Sequence, residues 1–333
     1  MATRNASRKT PEQIAAEHAA ELKARKQQQT IGIIAVIVII AIISMMGFFI
    51  WRGTQPKTAS VSPSFTTGNG AIMIVDGKVD MNGKRWDGID SKKENTINHL
   101  PIIANGQDPL CPGCGAIERE VGDTIEYWSK HNQVVYKQWP LSILDRLSDG
   151  TRYSTRVAAD FYRFAELSPE NYLKFVSLMY EEGIQPKESA FVNIDDSKIQ
   201  EYGRKAGLTD RQAKQLTDGK YEEFVEANTS NLSKDKSLWR DAGDGTTTFM
   251  TPLLVLDGKL VQDYSTDDMN KYISDRIGLK VPSETDRNAK TTASGKTGAS
   301  SSGIPSSKAD TEKNTEAKSS SDGNSGNGSR SDN

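Results

Sequence analysis

Two cysteines, Cys111 and Cys114, are the whole thiol complement of this 333-residue chain, so no framework of several disulfides can hold it together. Both sulfurs are left for chemistry with each other. They stand as Cys111-Pro112-Gly113-Cys114. Pro is tolerated in the first helical turn because no N–H is needed there, so the spacing predicts Cys111 at a helix N-terminus and Cys114 one turn in. Free backbone N–H groups and the positive end of the helix dipole favour a thiolate at that place. A thiolate beside a thiol can break or make disulfides. Zinc is a competing reading, but it takes four ligands, and His99 and His131 are distant in sequence with no second close pair. An inert pair is the other alternative. The motif calls for no cofactor.

A membrane anchor decides what surrounds these thiols. The run from Ile31 to Ile50 carries no charge, and at ~1.5 Å per residue it spans a ~30 Å hydrocarbon core as a helix. Trp51 stands where an interfacial aromatic is expected. Arg4, Arg8, Lys9, Lys23, Arg25 and Lys26 precede the run, and only Arg52 and Lys57 follow closely. The basic flank predicts a cytoplasmic N-terminus and an extracytoplasmic remainder, where a dithiol meets oxidising conditions. A cleaved signal peptide fits less well, for want of a clear Ala-x-Ala site.

The expected organisation is a cytoplasmic segment at 1–30, an anchor at 31–51, a Pro/Ser/Thr/Gly tether at 52–70, a folded domain at 71–282 and a disordered tail at 283–333. The tail has Ile304 as its only large apolar residue and cannot repay the entropy of ordering. A net charge of −2 points to no nucleic-acid partner.

Within the domain, Ala71–Val75 and Lys78-Val79 around Asp76-Gly77 predict a hairpin. Leu100–Ala104 and Gln133–Lys137 read as buried strands flanking a helix whose stripe is Ile117, Val121, Ile125 and Trp128. Glu118 and Glu120 fall on its exposed side by that periodicity. Helices are expected at 153–165, at 169–180 with Ser168 as N-cap, and at 196–205, 210–216 and 221–232. Phe161, Tyr162, Phe164, Tyr172 and Phe175 read as core rather than as a groove for unfolded chains, and Trp139 likewise. Leu253–Leu256 and Lys259–Val261 around Asp257-Gly258 predict a second hairpin, and Ser265 opens a last helix to Ile277.

This order resembles an α/β thioredoxin-like fold with a helical insertion at about 150–240, and specifically the DsbA-like thiol–disulfide oxidoreductases of bacterial envelopes. The resemblance covers about Ala71 to Ile277. It rests on Asp108-Pro109-Leu110-Cys111-Pro112-Gly113-Cys114, on Trp139-Pro140-Leu141, and on Thr251-Pro252 ahead of the second hairpin. It implies Cys111 as nucleophile, Cys114 as its partner, Pro112 and Gly113 as supporting dipeptide, and a cis Pro252 facing the cysteines. Thr251 backbone groups would then pair with an extended substrate. Asp108 is read three ways: a proton relay, a brace for the turn, or a solvated loop carboxylate. Many strongly oxidising members carry His between the cysteines; Pro112-Gly113 lacks it, which implies a milder oxidant.

The expected activity is disulfide formation in exported proteins, with re-oxidation by a quinone-linked membrane partner implied by the resemblance. An envelope reductase or isomerase, and a non-catalytic scaffold that binds extended segments, are the alternatives.

Overall fold

Two Asp-Gly pairs fold the outer hairpins of one sheet. Asp76 and Gly77 take φ of 56° and 71°, and Asp257 and Gly258 take 44° and 78°. Both central residues of a tight two-residue turn need positive φ, which Asp tolerates and Gly adopts freely. The first turn joins β1 (Ile72–Val75) to β2 (Lys78–Val79), and the second joins β7 (Leu253–Leu256) to β8 (Lys259–Leu260). This computed structural model describes residues 39–48, 58–86, 100–264 and 268–288.

Between the hairpins lie β3 (Ile102–Gln107) and β4 (Val135–Pro140), parallel and joined by α2 (Pro112–Lys130). The sheet order is β2-β1-β4-β3-β7-β8, with β1 antiparallel to β4 and β7 antiparallel to β3. Alternate residues serve opposite faces. Ile72, Ile74 and Ile103 join one apolar cluster with α2, while Ala71, Met73, Ile102 and Ala104 join another with Trp86, Trp139 and Leu253. With both faces covered, β3 is buried throughout and β4 everywhere except Lys137.

Between β4 and β7 the chain inserts α3 (Tyr153–Leu167), α4 (Tyr172–Met179), α5 (Asp196–Ala206), α6 (Asp210–Leu216) and α7 (Glu222–Leu232). A small hairpin of β5 (Arg240–Asp241) and β6 (Thr247–Thr248) follows. The insertion shares the first cluster: Phe164 stacks on Phe175 at 4.3 Å, and Phe161 meets Phe175 edge-on at 5.7 Å. Phe161, Tyr162, Phe164, Tyr172 and Phe175 are all buried, so these rings build the core and line no groove. The last helices are α8 (Met269–Ile277) and α9 (Glu284–Asn288).

Several boundaries move. The tether expected over 52–70 is already packed over much of its described part: Phe65, Thr66 and Thr67 are buried, and the Gly70 carbonyl accepts from the Tyr162 hydroxyl at 2.7 Å. Polar composition hid this, because the segment satisfies its polar groups partly within itself and partly on the insertion, through Ser60 to Glu223 and Gly70 to Tyr162. At the other end, Ser283 and Asp286 cap each other's backbone and start α9 inside the segment read as tail, where Arg287 donates to Thr124. Residues 289–333 lie outside the described residues. Ser168 does not cap: its hydroxyl donates to Glu170 and a 3₁₀ turn at Pro169–Asn171 precedes α4. Asp268 caps α8 through the Lys271 N–H, and Ser265 lies outside the described residues.

Of the apolar run, residues 39–48 are described, as a helix, α1, with Ile39, Ile40, Ile42, Ile43, Met45, Met46 and Phe48 exposed. Among the described residues no helix is long and apolar enough to cross a membrane; the rest of the expected anchor lies outside them.

Truncating Phe65 tests the packed tether. Phe65→Ala should cost about 3 kcal/mol in equilibrium urea unfolding, the usual loss for a buried Phe. A loss below about 1 kcal/mol, within the range of surface changes, would place the segment outside the core.

Candidate active site

The chain leaves the central strand β3 at Gln107 and turns at once into α2, so the helix N-terminus sits at the end of the sheet's buried middle. Cys111 is the N-cap, in extended conformation, and Pro112 begins the helix. The Cys111 sulfur accepts from the Cys114 backbone N–H at 3.3 Å, one of the donors that a helix start leaves unpaired. Both cysteines are free thiols and both are buried: Cys111 keeps 5% of its surface, Cys114 none.

The two sulfurs are pushed in opposite directions. The Cys114 side chain donates to Cys111, and the Thr251 side chain and the Cys114 N–H add to this, holding the Cys111 thiol below its ordinary value against burial and the Asp108 charge. Burial first, and then the Cys111 sulfur itself, drive Cys114 well above its ordinary value. One sulfur is set up as a thiolate and the other as a thiol.

Thr251 and Pro252 approach from the loop before β7, joined by a cis peptide bond. A Cβ built on Gly113 would stand 3.1 Å from Pro252 Cδ and 3.9 Å from the Cys111 sulfur, so glycine permits this close approach. Behind the loop, the Tyr264 hydroxyl donates to the Pro252 carbonyl at 3.1 Å and accepts from the Leu254 N–H at 2.8 Å. The structure thus brings Asp108, Cys111, Pro112, Gly113, Cys114, Thr251 and Pro252 to one place.

Asp108 is no solvated loop carboxylate. It is fully buried, accepting from the Leu110 N–H at 2.8 Å, the Ser154 hydroxyl at 2.7 Å and the Leu144 N–H at 2.9 Å. It thereby ties the cysteine turn to the segment after β4 and to α3. Burial raises its pKa to about 6, although those hydrogen bonds pull it down.

Glu118 corrects the sequence reading outright. It is buried, one helical turn beyond Cys114, and accepts from Gln107 at 3.1 Å and Ser177 at 2.9 Å. Gln138 donates to Gln107, and the Tyr172 hydroxyl donates to Gln138. Periodicity assigned Glu118 to solvent because it considers only one face; α2 is covered by the sheet on one side and by α4 on another. Glu120 is exposed as expected, but its carboxylate accepts the Met269 N–H of α8. His131 stands at the C-cap of α2, roughly 26 to 30 Å along the helix from the cysteines at 1.5 Å per residue, which disfavours a shared zinc. His99 lies outside the described residues.

A parallel β3-α2-β4 unit, an antiparallel β7-β8 hairpin, a Cys-Pro-Gly-Cys helix start, a facing cis Pro252 and a helical insertion occur together here. The architecture is a thioredoxin-like α/β fold with a helical insertion. No family model matches the chain. The serine/threonine-protein kinase PknE of Mycobacterium tuberculosis is 25% identical over 158 residues, 47% of this chain and 26% of that protein, and its counterpart in Mycobacterium bovis matches equally. The chain thus spans about a quarter of the length of the curated relatives it matches. Reduced DsbA from Mycobacterium tuberculosis is a similar solved structure, with 25% identity, a TM-score of 0.47 and coverage of 64% of this chain and 94% of that one. Reduced DsbG from the same organism gives 22%, 0.49, 69% and 97%. The thiol-disulfide oxidoreductase MdbA from Corynebacterium matruchotii gives 16%, 0.44, 63% and 91%.

The Asp108 shift has a signature in stability. Its pKa lies above the ordinary 3.8, so the folded state holds the proton more tightly. The cost of ionising it is absent below about pH 4 and complete above about pH 6, reaching about 3 kcal/mol at most. Relative to Asp108→Asn, the wild type should lose stability across that window in urea unfolding at stepped pH. Parallel profiles would show that the carboxyl is not buried as described.

Proposed function

We propose that the chain is a membrane-anchored extracytoplasmic thiol–disulfide oxidoreductase that forms disulfides in exported proteins through Cys111 and Cys114. The observation that carries this reading is the opposite bias on two sulfurs of one motif, with Cys111 over the Cys114 N–H at 3.3 Å. In the oxidised pair, a substrate thiolate attacks the Cys111 sulfur; the Cys111–Cys114 bond breaks and Cys114 leaves, taking up a proton. A second substrate thiolate attacks the substrate sulfur of the mixed disulfide and expels Cys111 as a thiolate. The substrate loses two electrons and the pair gains them. Exchange runs faster when the leaving thiol has a low pKa, which favours release of Cys111.

A stabilised thiolate stabilises the reduced pair, and that makes the disulfide the better oxidant. This supports the oxidase over the reductase or isomerase reading. Turnover then requires re-oxidation, for which a quinone-linked membrane partner is proposed with the anchor at 31–51. Thr251 would pair through its backbone with an extended substrate segment, in the manner of an added strand.

Trapping tests the scheme. In Cys114→Ser the Cys111 thiolate can still attack a client disulfide, expelling one client sulfur, but no neighbouring thiol is left to displace the bound client, so exported clients should accumulate on Cys111 and dissociate on reduction. Cys111→Ser should lower thiol oxidation of a reduced model protein to the uncatalysed rate. An intact cellular phenotype in Cys111→Ser, with no catalysed oxidation by the wild type, would leave a binding protein rather than an enzyme. Alkylation of whole cells should find Cys111 mostly in disulfide form; a dithiol would reverse the direction.

A further inference from the structure

The redox turn is held from outside by an amide that neither the cysteine motif nor the proline loop contains. Gln185 follows α4 in the insertion, and its side-chain N–H groups donate to the Cys111 carbonyl at 2.9 Å and to the Pro109 carbonyl at 3.1 Å. Arg119, on α2, donates to the Tyr180 carbonyl at 2.7 Å and lies 3.4 Å from the Gln185 Oε1, closing the other side of the amide. Gly115 makes room for it. A Cβ at that position would come within 2.0 Å of Gln185 Oε1 and 2.7 Å of Arg119 Nη1. Real Cβ atoms do not approach so closely, so a side chain at 115 and Gln185 in its present place exclude each other.

We propose that Gln185 is a positioning residue: its amide clamps the Pro109 and Cys111 carbonyls, so that the insertion holds the Cys111 sulfur over the Cys114 N–H. The proposal rests on the exchange reading above and deepens it. Cys111 is the N-cap, and its carbonyl already accepts the first helical bond, from the Gly115 N–H at 3.2 Å. With that bond alone the cap can swing, whereas a second donor fixed 74 residues away pins both ends of the turn. A helix start presents its free N–H to a sulfur only while the cap residue keeps its extended geometry. The groups that act on the Cys111 charge are Cys114, Thr251 and Asp108, with the buried Tyr180 hydroxyl beside them. None of these is removed by changing Gln185.

The test is the pH midpoint of Cys111 alkylation by iodoacetamide in the reduced protein, read by mass spectrometry. Gln185→Ala should raise that midpoint by about 0.5 unit, a roughly threefold loss of thiolate at pH values below it. Gln185→Glu keeps the shape but puts a charge, and no donor, against the two carbonyls; it should shift the midpoint at least as far. Gly115→Ala should shift it in the wild-type background and add little once Gln185→Ala has cleared the space. Circular dichroism confirms the fold of each variant, and the Gly115→Ala comparison is made only among folded proteins. An unchanged midpoint in folded Gln185→Ala and Gln185→Glu, or an equal Gly115→Ala shift in both backgrounds, overturns the clamp. A wild-type midpoint in the ordinary thiol range, with no exchange on a model substrate, would instead overturn the reading beneath it.

Discussion

The hydrogen bond from the Cys114 N–H to the Cys111 sulfur is the contact on which the rest of the site depends, and the parallel β3-α2-β4 unit exists around it. A helix start has unpaired donors wherever it occurs. What is particular here is its burial: β3 delivers α2 to the middle of the sheet, so little water competes for those donors, and an unpaired donor would be costly. The sulfur at the cap repays that cost, and the Cys114 side chain first, then Thr251 and that N–H, hold its thiol below the ordinary value. Cys114, one turn deeper, has burial without a comparable set of donors and moves the other way. Three residues of separation thus convert one pair of like side chains into an acid and a base.

Beneath the cysteines the sheet and helices meet through a polar layer. Gln107 and Gln138, adjacent on the parallel strands, pass hydrogen bonds from Tyr172 of α4 to Glu118 of α2, which also takes Ser177 of α4. Burial raises the Glu118 pKa, so its carboxyl holds a proton more tightly than a surface glutamate. A layer of this kind fixes the angle between redox helix and insertion better than apolar contact would, because every member must find its partner. Asp108 does the same work above the layer, and Gln185 at its rim. The insertion therefore grips the redox helix at three heights.

What the sequence disclosed and what it concealed divide along a physical line. Asp76-Gly77 and Asp257-Gly258 announce their turns because local backbone conformation decides them, and both hairpins form as expected. Cys111-Pro112 marks a helix start for the same reason. Strand ends were harder: β3 runs on through Asn105 and Gln107, and β4 through Gln138, polar residues that only their buried partners explain. Glu118 and Asp108 looked exposed or ambiguous because their partners lie far away in sequence. Gln185 gave no signal at all. Its neighbours in sequence are loop-like, and its two acceptors are backbone carbonyls, which leave no trace in a pattern of side chains. A glycine at 115, inside a helix that would prefer alanine, was the one available hint.

The Pro112-Gly113 dipeptide bears on how strong an oxidant such a site can be. With no imidazole between the cysteines, thiolate stabilisation must come from the Cys114 side chain and N–H and from Thr251. Gly113 contributes by absence: without a side chain it lets Pro252 close over the turn, and Thr251, its neighbour, reaches the sulfur. A donor to the Cys111 sulfur is instead supplied from the loop before β7, by Thr251. Under the proposed exchange reaction an extended substrate pairing with Thr251 would approach the same loop, so one segment would serve both substrate binding and stabilisation of the leaving sulfur.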